Sequence, residues 1–126
     1  MKSNFAIILL SVLLSANSNC NHKEQTLNTK YKGRLEVSGI CSNITISVIE
    51  GKIDTTKIVT QWTDETTDKN YSHAFKLGNP CNFPDTLKAG DEFYFTIDTA
   101  KQEDCAVCMA YYPTPSKSLN IKVLNQ

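Results

Sequence analysis

The stretch Ala74–Ile97, AFKLGNPCNFPDTLKAGDEFYFTI, decides how the rest of the chain is read. Two strand-like runs, Ala74–Leu77 and Glu92–Asp98, flank a stop signal, Gly78-Asn79-Pro80-Cys81, and a launch signal, Gly90-Asp91. Gly and Pro supply or forbid particular backbone angles, so the two runs cannot merge into one element. In the second run Phe93, Phe95 and Ile97 alternate with Glu92, Tyr94, Thr96 and Asp98, the period of a strand with one buried face. Between the runs, Phe83-Pro84 and Leu87 offer apolar side chains in a loop broken by proline, placed to cap whatever the strands enclose.

Working outward, the same period recurs on both sides. Leu35 and Val37 alternate with Arg34, Glu36 and Ser38, and Gly39–Asn43 then forms a turn. Ile44, Ile46 and Val48 follow, and Glu50-Gly51-Lys52 ends their run. Lys57–Thr63 carries Ile58, Thr60 and Trp62 in one row. After the polar, turn-like Asp64–Asn70, the residues Tyr71, His73, Phe75 and Leu77 share a face. Leu119, Ile121 and Val123 make the last strand. No window carries a 3.6-residue apolar stripe, and the Thr, Ile and Val content suits pleated, half-buried positions. The fold class is all-β. Five strong strands and two weaker ones suit a small five- to seven-stranded barrel of the oligonucleotide/oligosaccharide-binding (OB) type; the alternative is an immunoglobulin-like sandwich. The barrel is favoured because the break between Leu77 and Asp91 falls where such barrels carry a capping segment. The turn at Gly39–Asn43 also suits their first loop.

The 126 residues, 40% hydrophobic and 21% charged, suit one domain. Residues 1–19 read as an export signal: Lys2 is its positive start, Phe5–Leu14 its apolar run, and Ser15–Asn19 its small, polar end. That run is well short of the roughly 20 residues a spanning helix needs. Residues 20–30 are polar and aperiodic, a tether, and 31–126 form the barrel domain. Ala16-Asn17-Ser18 allows ordinary signal cleavage and secretion, whereas Cys20 just past the apolar run suits a bacterial lipoprotein anchored in the cell envelope through that residue. Five cysteines decide between them, because lipidating Cys20 leaves Cys41, Cys81, Cys105 and Cys108, an even number for an oxidising compartment. Losing Lys2 with the signal leaves twelve basic against thirteen acidic residues. A net charge near −1 without a basic cluster argues against nucleic acid as a partner, and it leaves the membrane as a partner only through a lipid.

Gly39-Ile-Cys41, Leu77-Gly-Asn-Pro-Cys81, Leu87-x-x-Gly-Asp-x-Phe93, Cys105-x-x-Cys108-x-Ala110 and Ile121-x-Val123 together resemble small exported or lipid-anchored proteins of Bacteroidota-type Gram-negative bacteria. The resemblance spans Lys32 to Leu124 and implies a barrel-like domain. Its motifs are turns and cysteines, and it brings no activity to carry over.

The chemistry-bearing residues are few. Cys105-Ala-Val-Cys108 is compatible with a redox dithiol, half of a metal site, or structural disulfides. Asp104 would raise the pKa of the neighbouring thiol, no helix pattern follows, and Cys41 and Cys81 are too far apart in sequence to complete a close-paired zinc motif. Structural disulfides are therefore expected, with Cys41–Cys81 and Cys105–Cys108 preferred among three pairings and the larger loop worth roughly 3–4 kcal/mol. His73 is read as a rim residue on the inward row. Asp64–Asp68 is read as a solvated hairpin tip, since it lacks the alternating acids and glycine of a calcium loop. No catalytic residue, metal site or cofactor is implied. The outward positions of the second and third strands, Thr45, Ser47, Ile49, Ser72, Ala74 and Lys76, offer no aromatic platform. Met109, Tyr111 and Tyr112 gather instead beside the C-x-x-C motif, stiffened by Pro113 and Pro115. That loop is the expected contact for an unknown protein or small-molecule partner, unless both tyrosines plug the barrel end. The functional expectation is an exported, lipid-anchored, disulfide-stapled binding module or envelope accessory without enzymatic activity; the alternative is a small redox or metal-binding protein using Cys105 and Cys108.

Overall fold

The computed structural model describes residues 29–125. The export signal, Cys20 and nearly all of the tether lie outside them. Seven strands run in chain order: β1 Tyr31–Ser38, β2 Ile44–Glu50, β3 Val59–Asp64, β4 Lys69–Leu77, β5 Glu92–Ile97, β6 Ser118–Leu119 and β7 Ile121–Val123. Single 3₁₀ turns occupy Ile40–Ser42 and Pro80–Asn82, within the turn at Gly39–Asn43 and at the stop signal Gly78–Cys81 read from the sequence.

All seven strands belong to one sheet, not to the two facing sheets of a sandwich. The order is β3-β4-β2-β1-β5-β7, with β6 paired to β4. Every pairing is antiparallel except β4–β6. Because β6 and β7 are one segment broken at Asn120, the chain itself joins the β4 side of the sheet to the β5 side. The result is a small, partly open barrel of the OB kind, with β3 added as the arm of a hairpin.

The seam at Asn120 is bridged by a side chain. Asn79 is buried, donates its amide N–H to the Ile121 carbonyl at 2.8 Å and accepts the Ile121 N–H at 2.9 Å. The carboxamide has the donor and acceptor of a peptide group, so it continues the β4 ladder past Gly78, whose own N–H reaches Leu119 O at 2.7 Å. At the other flank Gly90 adopts φ 97°, a left-handed conformation natural to glycine. Its N–H bonds Leu35 O at 2.7 Å and thereby sets β5 against β1.

The barrel interior is the row read from the sequence. Leu35, Ile46, Val48, Phe75, Leu77, Phe93, Phe95 and Ile121 are buried together. Phe95 is the hub, with ring centroids 5.5 Å from Tyr31, 5.9 Å from Phe75 and 6.1 Å from Phe93. Phe83, Pro84 and Leu87 form the expected cap, Phe83 meeting Phe93 edge-on at 5.5 Å.

Two register expectations are corrected. His73 has φ 52° and is exposed, so it is not on the inward row. The irregularity there puts the consecutive residues Ala74 and Phe75 both under cover. Thr45, Ser47 and Ala74, expected to face outward, are also buried. The cause is the β3–β4 hairpin. A straight β4 would carry the hairpin tip toward the Glu50 end of β2, since Thr45 faces Lys76 and Ser47 faces Ala74. Instead Thr66 at the tip meets Tyr112, and Tyr112 lies against Gly39 at the other end of β1. The hairpin therefore folds back at His73 and covers the outer wall of β2.

Candidate binding site

The segment from Asp98 to Lys117 has almost no regular structure and crosses the barrel end as a strap. It leaves β5 through a turn in which the Asp98 carboxylate accepts the Ala100 N–H at 2.9 Å, and it returns as β6. Two disulfides pin it: Cys81–Cys105 to the turn after β4, and Cys41–Cys108 to the turn after β1. This corrects the preferred pairing. No turn interrupts residues 101–110, so nothing folds Cys108 back onto Cys105. A disulfide closes only below about 7 Å, so Cys105 and Cys108 reach for different partners. Cys41 meets its partner from φ 55° inside the 3₁₀ turn. Closing loops with sequence separations of 67 and 24 residues constrains the unfolded chain by about 4 and about 3.5 kcal/mol.

The two tyrosines of the strap part company. Tyr112 is half-buried, with its ring so close to Gly39 that a Cβ there would stand 2.7 Å away. Its hydroxyl is 3.2 Å from the Thr66 oxygen. The Thr66 hydroxyl already donates to Asp64 at 2.7 Å, so the Tyr112 O–H is the donor to Thr66. Asp64 is buried, not the solvated tip residue expected, and accepts the Thr66 amide as well at 2.9 Å. Burial pushes its carboxyl up. The Thr66 and Thr67 hydrogen bonds and the charge of Lys69 outweigh that and hold it below the usual carboxylate range. Tyr71 is stacked on Trp62 at 5.7 Å, and its hydroxyl is pushed up first by burial and then by Glu36 and Asp64. Tyr112 thus clamps the folded-back hairpin to the strap.

Tyr111 does the opposite. It is 80% exposed and Met109 is 96% exposed. Ile40 and Val107 are the other exposed large hydrophobic residues among the described ones. Ile40 adjoins Cys41, while Val107 and Met109 adjoin Cys108. Beneath the strap lies a cleft of about 630 Å³, lined by Asn43, Lys76, Val107, Met109, Tyr111 and Ser118 among others. Asn43 fixes its floor, donating to Ile40 O at 2.9 Å and to Ala110 O at 3.2 Å.

The remaining candidates are dispersed. His73 lies by a second hollow with Glu50 and Thr55, and Glu103 and Asp104 line a small one beside Cys81 and Asn82. On the outer surface of β1 and β5, Glu92 accepts from Arg34 at 2.9 Å and pairs with Lys32 at 3.0 Å, which hold its carboxyl low. Among the described residues no three His, Cys, Asp or Glu side chains converge. Ile40 and Val107 were not singled out from sequence, and Lys76 was named only as an outward position of its strand. Its place at the cleft follows only once β6 is known to return alongside it, and the two apolar residues gain meaning only through Cys41–Cys108.

Fold and cleft together define a small all-β module stapled by two disulfides, as suits a non-reducing, extracellular-type setting. Comparison with protein-family models, curated proteins and solved structures finds no match to this chain.

Proposed function

We propose that this protein is an exported binding module of the Gram-negative cell envelope, lipid-anchored through Cys20 and without enzymatic activity, that meets its partner at the strap. One observation carries the docking site. All four exposed large hydrophobic residues among the described ones, Ile40, Val107, Met109 and Tyr111, gather around the Cys41–Cys108 bridge. Apolar groups concentrated at one place mark an interaction surface, and cross-linking by the disulfide lowers the entropy lost when a partner is engaged. The outer wall of β2 is already covered by the chain's own hairpin. The lipid anchor rests on the position of Cys20 and on the even number of cysteines it leaves.

The test uses the full-length protein in cells, with a photo-cross-linking amino acid at Met109 or, as control, at exposed Ser72. Adducts formed from position 109 alone, and lost on Tyr111→Ser without a change in melting temperature, support the reading. Equal adducts from both positions, or none, overturn it. Fractionation of the same cells tests the anchor: Cys20→Ser should move the protein from the membrane to the soluble fraction, and a wild-type protein already soluble refutes lipidation.

A further inference from the structure

Given that the strap is the docking site, we propose that it recognises an extended, acidic polypeptide segment in which a carboxylate lies beside an apolar side chain, the carboxylate pairing with Lys76 and the apolar group meeting Val107, Met109 and Tyr111. Lys76 is the one charged residue lining the cleft, and no acidic side chain lines it or lies within ion-pair distance of Lys76 among the described residues. Lys76 is also half-buried, as a lysine that lays its stem along the cleft would be. The acids of the strap, Glu103 and Asp104, line the adjoining hollow at Cys81, which shares Gly78 and Cys105 with the cleft, and neither lines the cleft itself. An anion is therefore complementary to this cleft and a cation is not.

Met109 and Tyr111 line the cleft yet are almost fully exposed, so they form its mouth and not its floor. A small-molecule pocket typically encloses most of its ligand in an apolar interior. Here further exposed apolar side chains, Val107 and Ile40, stand beside the two ends of the Cys41–Cys108 bridge, where a larger partner would cover them. A single lysine is too little for nucleic acid, whose affinity comes from neutralising many phosphates.

A membrane surface is disfavoured by position. The described chain enters β1 at Tyr31, and Lys30 shares a hollow there with Leu124 and Asn125 near the other end of the chain. Ile40 and Cys41 follow the opposite end of β1, up to about 25 Å along the strand. Met109 and Tyr111 also stand close to hydrophilic neighbours, with Ser42, Asn43, Thr114 and Ser118 lining the same cleft. These groups can hydrogen-bond an extended backbone that a bilayer would not present. Such a segment needs no fold of its own, because alternate side chains of an extended chain point to opposite sides.

The experiment titrates the full-length protein with two fluorescent, end-blocked hexapeptides, one alternating leucine with glutamate and one alternating leucine with lysine, at low and at physiological salt. The wild type is expected to bind the acidic peptide at least about tenfold more tightly, with the advantage shrinking as salt rises. Lys76→Glu should reverse the order, and Lys76→Gln should bring the two peptides within about twofold of each other. Met109→Ser with Tyr111→Ser should weaken both peptides alike. Equal binding of both peptides by the wild type, lost only in the Met109/Tyr111 variant, overturns the acidic preference while leaving the strap as the docking site. Binding of neither peptide overturns the acidic-peptide inference, and the in-cell cross-linking then decides the docking site by itself. Tighter binding to anionic lipid vesicles than to the acidic peptide would also overturn it. Melting temperatures of all variants separate lost recognition from lost fold.

Discussion

The seam at Asn79 offers the sharpest test of how this barrel is held together. Its carboxamide exchanges two hydrogen bonds with the backbone of Ile121, at 2.8 and 2.9 Å, where β6 gives way to β7. Truncation to alanine removes both and leaves a buried N–H and C=O without partners, at about 1–3 kcal/mol each, so about 4 kcal/mol in total is expected. Asn79→Asp is the more informative change. Ionised, the new carboxylate still accepts the Ile121 N–H but turns an oxygen toward the Ile121 carbonyl, so the loss at pH 7.5 should equal or exceed that of alanine. Protonated, the acid regains a donor and reproduces the native pair. Folding therefore favours the protonated form and raises the folded-state pKa above the unfolded value near 3.9, each unit being worth about 1.4 kcal/mol. The sign follows: the recovered stability is fully present below the unfolded pKa and is lost as pH rises through the folded one. Urea titrations followed by far-UV circular dichroism and by Trp62, the single tryptophan, give the difference from wild type at each pH. The gap between Asn79→Asp and wild type should shrink by more than about 1.4 kcal/mol between pH 7.5 and pH 4.5. A gap below about 1 kcal/mol at pH 7.5, or one that does not move with pH, would show that this side chain does not join the two halves of the sheet.

Two further outcomes follow from the same structure. Phe95, fully buried against three aromatic rings, should cost about 3–5 kcal/mol on truncation to alanine, and Thr96→Ala on the opposite face should cost under about 1 kcal/mol; equal losses in urea titrations would place the β5 register one residue out. Asp64, whose carboxyl is held below its usual range, contributes stability that is present above the ordinary carboxylate pKa near 4 and is lost as pH falls through the depressed folded value. Asp64→Asn should therefore be less stable at pH 7 yet lose less on acidification, and an acid limb as steep as the wild type's would remove Asp64 from the account.

The divide between what the chain discloses and what it conceals follows the range of the interactions. Phe93, Phe95 and Ile97 were legible as an inward row because alternation is a local property, and Phe83 and Leu87 as a cap because Gly and Pro punctuate locally. His73 defeated the same reasoning. A period-2 reading assumes an unbroken strand, and one left-handed residue inside β4 breaks the alternation at that point, exposing His73 and burying Ala74 while Phe75 and Leu77 keep their inward places. The cysteines were legible as staples but not as pairs. Pairing depended on β6 returning parallel to β4, a contact some 40 residues away that no local pattern encodes. Met109, Tyr111 and Tyr112 show the limit most clearly. Sequence grouped them, and the structure separates them by where each ring finds a neighbour: Tyr112 against Gly39 and Thr66, Tyr111 against nothing but the mouth of the cleft.

That separation bears on how a barrel of this kind can bind anything. In such barrels the wall of the second and third strands is the usual ligand face, and here Thr45 and Ser47 on that wall are covered by the folded-back hairpin. The cover is locked through Tyr112, Thr66 and Asp64, so using the wall would mean breaking the Tyr112 contact as well as lifting the hairpin. The strap needs no such opening. Its apolar groups already stand in solvent, and its backbone is fixed at Cys105 and Cys108 before a partner arrives. An exposed strap asks for less rearrangement than a wall that must first be uncovered, so the docking site proposed above needs no opening of the hairpin.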